Sequence, residues 1–161
     1  MVLRYASLAV FLLLVVLAAL IGGSFEAGEW YSAISKPQWA PPPWVFAATW
    51  SVLYVLTALA MWQVWVSTHP ARLGALTFWL LQLVVNVAWL WLFFGLHRSG
   101  WALGDMALLI GLVVLCIRAF SMASRAAALL MLPYLLWLLF AWLLNFSIWA
   151  LSGGALGLSF D

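Results

Sequence analysis

The stretch YASLAVFLLLVVLAALIGG, Tyr5 to Gly23, contains no charged side chain. It is as long as a helix that crosses a bilayer, which takes about 20 apolar residues. Because Arg4 precedes it, a signal peptide is the competing reading. The uncharged run is longer than a usual signal core, however, and its alanine-rich end lacks a small-x-small cleavage site. It reads as a first spanning helix. The rest of the chain repeats the pattern: of 161 residues, 69% are hydrophobic and 6% charged, with a mean hydropathy of +1.18. A water-soluble domain carries about 25% charged residues, so this surface is built for lipid.

Breaks between the apolar runs divide the chain into helices at about 2–23, 44–66, 74–96, 100–121 and 126–151. This predicts an all-α integral membrane protein: one five-helix transmembrane bundle over residues 1–151. A long first loop, 24–43, would act as a lid, and residues 152–161 would form a flexible tail. Pro43 suits a helix start, where a missing N–H is no loss. Ser99 is the expected N-cap of the fourth helix, and His69 and His97 are expected to be solvated in loops. Arg4, Arg72, Arg118 and Arg125 fall toward one face, against Lys36 and Arg98 toward the other. The positive-inside rule then places the N-terminus in the cytoplasm.

Several functions lack their parts. The six basic residues are scattered, so no nucleic-acid surface forms. Cys116 is the single cysteine and lies in an apolar run, and there is no histidine cluster, so no metal site is expected. No catalytic triad or carboxylate pair is present. Asp105 lies in the second turn of the fourth helix, where the dipole favours a carboxylate; a functional intramembrane acid is the alternative reading.

Aromatic surface is abundant instead, with 13 tryptophans. Trp44, Trp65, Trp101 and Trp149 lie near helix ends, as interfacial residues do. Trp50, Trp89, Trp91, Trp137 and Trp142 lie deeper, where an indole offers a stacking face and needs a partner for its N–H. Gln82 and Asn86 are four residues apart, and Trp89 and Phe93 continue their face. Trp50 with Tyr54, and Trp137 with Ala141 and Asn145, form similar faces on the second and fifth helices. A pocket for a flat hydrophobic ligand between these three helices and plain interhelical packing are equally open readings. The stiff segment Trp39-Ala40-Pro41-Pro42-Pro43-Trp44 suits a lid over such a pocket.

These residues resemble the translocator protein family, also known as tryptophan-rich sensory proteins, TspO/MBR proteins or peripheral benzodiazepine receptors. The resemblance begins at Trp30-Tyr31 and runs through Lys36-Pro37-Gln38-Trp39-Ala40-Pro41-Pro42-Pro43-Trp44-Val45-Phe46 to Trp50 and Leu53-Tyr54. It resumes at Gln82-Leu83, Asn86-Val87-Ala88-Trp89, Phe93-Phe94-Gly95 and Trp101-Ala102-Leu103 with Asp105. It ends at Pro133-Tyr134-Leu135, Trp137, Phe140-Ala141 and Leu144-Asn145. It implies a five-helix bundle, often a homodimer, that binds protoporphyrin IX and other tetrapyrroles, with no required cofactor. Synthetic isoquinolines and benzodiazepines, and in some members cholesterol, are further ligands. The matching pocket positions are Tyr31, Trp39, Trp50, Tyr54, Asn86, Trp89, Trp137 and Ala141. Trp50 and Trp137 match the two tryptophans implicated in light-dependent porphyrin degradation.

Two departures follow from the same comparison. Phe146 and Ala150 stand where animal members carry the tyrosine and basic residue of a cholesterol motif. Trp89-Leu90-Trp91-Leu92 replaces a double proline, so a proline kink is not expected in the third helix. The expected function is a membrane receptor or sensor for tetrapyrroles, with a transport or regulatory role, in a bacterial envelope membrane. Porphyrin photodegradation and a structural membrane scaffold are the alternatives; Ala18 with Gly22, and Ala19 with Gly23, offer small-xxx-small faces for the latter.

Overall fold

The computed structural model describes residues 2–25 and 28–153. Among them every regular element is helical: α1 (Val2–Gly23), α2 (Gly28–Ala33), α3 (Pro43–Val66), α4 (Arg72–Leu90), α5 (Ser99–Ala123), α6 (Arg125–Leu130) and α7 (Leu132–Leu151). A π-helical turn, Trp91–Gly95, extends α4. Five segments are long and apolar enough to cross a membrane: Arg4–Gly23, Pro43–Val66, Arg72–Gly95, Ser99–Ala123 and Arg125–Leu151. Helices suit lipid because they satisfy their own backbone groups. Consecutive spans run up and down. Trp62 Nε1, near the end of α3, donates to Arg4 O at the start of α1 (2.9 Å), so these two ends lie side by side.

The structure departs from the sequence reading at four places. The lid loop contains α2, whose last turn is held by Lys36: its Nζ donates to Tyr31 O, and to Ser32 O at 3.4 Å. A lysine closing orphan carbonyls in this way is a common helix end. Ser99 is not the cap of α5; the helix starts at Ser99, Arg98 takes the cap position, and no side chain caps it. The fifth span is broken at Met131 into α6 and α7. Pro133 has no N–H to offer the Leu129 carbonyl and its ring crowds that carbonyl, so the α-helical ladder cannot run through. The third span lacks a proline but still changes geometry: Leu96 N bonds to Trp91 O at 2.8 Å, a five-residue step. Of the expected tail, residues 154–161 lie outside the described part; Ser152 N still bonds to Ile148 O.

The core is apolar but stitched by polar side chains. Thr57, Gln82, Asn86 and Asn145 are buried. Tyr54 Oη donates to Asn86 Oδ1 at 2.6 Å, tying α3 to α4, and Tyr134 Oη donates to Gln82 Oε1 at 2.8 Å, tying α7 to α4. Trp79 Nε1 adds a bond to Thr57 O at 3.0 Å. Cys116 is buried among apolar neighbours as a core residue. Interhelical hydrogen bonds in membranes contribute up to about 2 kcal/mol each. We therefore expect Tyr134→Phe to lower the free energy of unfolding in detergent by an amount in that range, read as a lower thermal midpoint. Adding Gln82→Leu should recover most of the loss, because the amide then no longer faces a phenyl ring. A Tyr134→Phe protein as stable as its parent would contradict this view of the core.

Candidate functional site

Trp50 is the centre of an aromatic cluster. Its ring lies 5.6 Å from Tyr54, 6.4 Å from Trp89 and 6.0 Å from Tyr134, centroid to centroid. Trp89 stacks on Phe93 at 5.5 Å and 20°, and Phe94 meets it edge-on at 6.0 Å. These rings come from α3, α4, the π turn and, through Tyr134, α7. That turn accommodates an extra residue, which turns Phe93 and Phe94 together toward α2. Turns of this kind recur at functional sites.

Helix α2 rests on that aromatic ledge. Trp30 stacks on His97 (4.2 Å, 17°) and meets Phe93 edge-on at 5.6 Å, while Tyr31 meets Phe94 at 5.6 Å. His97 is therefore a docking surface for the lid rather than a merely solvated loop residue. His69 also has a local role, its Nδ1 accepting from Ala71 N at 3.1 Å.

Beneath α2 is a cavity of about 630 Å³. Its walls are Tyr31 from the lid, Trp50 and Tyr54 from α3, Trp89 from α4, Phe94 from the π turn and one face of α1. Val16 of α1 and Val55 of α3 line it and are about half exposed (50% and 46%), so it is not sealed between those helices. A second cavity, about 20 Å³, lies behind it between α4 and α7; Tyr31, Phe46, Trp89 and Phe94 border both.

The eight residues singled out in the sequence separate into groups. Tyr31, Trp50, Tyr54 and Trp89 line the large cavity. Asn86 stands behind it as the acceptor that orients Tyr54. Ala141 lines the small cavity. Trp137 lines neither; it packs on Phe46 at 5.6 Å and Phe140 at 5.2 Å. Trp39 is 47% exposed and meets Phe140 at 5.8 Å. Asp105 is absent from both linings.

The small cavity lies among the second, third and fifth spans, where a pocket was expected, whereas the large cavity lies against the first span, which that expectation did not include. Leu12, Val15 and Ala19 of α1 were missed, as was Phe46. The small residues of α1 were the available signal. Gly22 and Gly23 both line the cavity, and a Cβ on Gly22 would come within 2.3 Å of Leu90 Cδ1.

Comparison with known proteins agrees with this architecture. A profile of the TspO/MBR family matches residues 10–150. The chain belongs to the TspO/MBR family. Its relatives include protein CrtK of Rhodobacter capsulatus, 37% identical over 85% of this chain and 87% of that protein. The translocator protein of Bos taurus is 37% identical, covering 86% of each chain. The tryptophan-rich protein TspO of Archaeoglobus fulgidus is 38% identical over 87% of this chain and 94% of its own. With five spanning segments, this TspO/MBR member is a multi-pass membrane protein.

Burial raises the pKa of the Tyr31 phenol above its ordinary value, because ionisation would place a charge against apolar rings. The neutral phenol is the form compatible with docking. Its contribution is therefore complete below the ordinary tyrosine value of about 10 and is lost as pH rises through the raised value. We expect near-UV circular dichroism to show the lid contacts loosening in that alkaline range in the parent protein but not in Tyr31→Phe. Lys36, whose Nζ lies 4.5 Å from the same ring, is present in both proteins, so a difference belongs to the phenol.

Proposed function

We propose that this TspO/MBR protein is a membrane receptor or sensor that holds a tetrapyrrole, such as protoporphyrin IX, or another flat hydrophobic ligand, in the cavity under α2. The observation that carries the reading is the volume of about 630 Å³ walled by Trp50, Tyr54, Trp89 and Phe94. It falls within the ~300–1,000 Å³ of small-molecule sites, and its aromatic faces suit a flat π-system. The name translocator protein, carried by the Bos taurus relative, fits a ligand-handling role. No resident cofactor is part of the proposal. Transport or regulation would follow from binding coupled to the lid.

The surroundings proposed are a lipid bilayer, a homodimer and a bacterial envelope membrane with the N-terminus cytoplasmic, consistent with four arginines toward the Arg4 end. Light-driven consumption of the porphyrin is a second reading. It is favoured by Trp50, an electron-rich indole in the cavity wall. Trp137, outside that wall, would act at most through Phe46. The scaffold alternative is weakened because Gly22 is used in contact with Leu90 of the same chain.

Titrating protoporphyrin IX into detergent-solubilised protein in the dark tests the proposal. Saturable quenching of tryptophan fluorescence is expected. Trp50→Ala should weaken affinity by about tenfold or more, the equivalent of one aromatic contact and its buried area. Trp137→Ala should weaken it less, and Trp39→Ala least. Non-saturable binding, or equal affinity in parent and Trp50→Ala, would overturn the tetrapyrrole reading.

A further inference from the structure

Asn145 has no hydrogen-bond partner at either end of its amide among the described residues, although it is only 1% exposed. Because both Oδ1 and Nδ2 are unpartnered, exchanging the two atoms does not resolve the deficit. Trp89, 5% exposed, has an unpartnered Nε1 as well. Both residues line the cavity of about 20 Å³ between α4 and α7. The rest of that lining is chiefly apolar, including Phe93, Ala141 and Ile148. Buried amides without partners are costly, and a void needs about 10–15 Å³ to admit one water. An indole donor, an amide donor and an amide acceptor around such a void match one oxygen that both accepts and donates.

We propose that Asn145 and Trp89 form a subsite for a single hydroxyl-type oxygen, supplied by water in the ligand-free protein or by a carboxylic acid or hydroxyl group of a ligand. The two cavities share Tyr31, Phe46, Trp89 and Phe94 as a partition. The subsite is thus the polar back of an otherwise apolar pocket and lets it distinguish ligands that carry such an oxygen. The ligand part rests on the binding role proposed above; the water part does not.

The test uses full-length protein in lipid nanodiscs, with tryptophan and asparagine labelled with nitrogen-15. Water-to-side-chain Overhauser cross-peaks are recorded without ligand, and Trp89→Phe assigns the indole signal. A cross-peak to the Trp89 indole and the Asn145 amide is expected. Asn145→Leu should abolish that of Trp89 and leave the other indoles unchanged. Asn145→Ser, which keeps a donor and an acceptor, should retain it and covers the case in which the leucine variant does not fold. Absence of both cross-peaks in the parent, or their persistence at Trp89 in a folded Asn145→Leu protein, would overturn the subsite.

Protoporphyrin IX and its dimethyl ester then distinguish the sources. If the ligand supplies the oxygen, the free acid displaces the water signal. It should also bind about tenfold better than the ester, as expected for one buried hydrogen bond, and Asn145→Leu removes that preference. If the signal survives both ligands, water is the occupant and the subsite stands. If neither ligand binds saturably, the tetrapyrrole reading fails, while the ligand-free cross-peaks still decide the subsite.

Discussion

The bond from Tyr54 Oη to Asn86 Oδ1, 2.6 Å long and buried, joins the two helices that carry the principal aromatic residues. In a bilayer, helices gain little from hydrophobic association, because lipid tails are as apolar as the helix faces. Packing and interhelical hydrogen bonds must therefore hold them. The Tyr134–Gln82 bond does the same for α7. With three spans fixed through neighbouring positions on α4, Trp50 and Trp89 are held with their centroids 6.4 Å apart. The volume under the lid follows from that placement. Polar side chains that a membrane would otherwise disfavour thus act as the rivets of an apolar site.

The π turn at Trp91–Gly95 links this framework to the lid. It ends the third span and brings Phe93, Phe94 and His97 against Trp30 and Tyr31. Lys36 closes the other end of α2 by bonding to Tyr31 O. The docking of α2 therefore relies on ring contacts, each worth about 0.5–1.5 kcal/mol beyond its buried area.

Spanning segments were legible because hydropathy and length suffice to identify them in a bilayer. The resemblance located the aromatic positions, and Tyr31, Trp50, Tyr54 and Trp89 meet in one wall. What could not be read was how neighbouring spans pair. The face of α1 that meets the cavity has no polar or aromatic residue, and only its small residues Ala19, Gly22 and Gly23 set it apart from the lipid-facing side. The π turn has no sequence signature comparable to a proline, and α2 is too short for a periodic pattern to emerge. Trp137 looked equivalent to Trp50 by residue type, yet Phe46 and Phe140 occupy its surroundings. Both are half-buried, and it is their neighbours, set by tertiary packing, that separate the two.

The central claim is that ligand occupies the space between α1, α3 and α4 beneath α2. An experimental structure of the protein in nanodiscs with protoporphyrin IX, solved beside the ligand-free form, tests it most directly. The account predicts density for the macrocycle against Trp50, Tyr54 and Trp89, with α2 closed over it. Density confined to the lipid-facing surface, with the cavity unchanged, would contradict it.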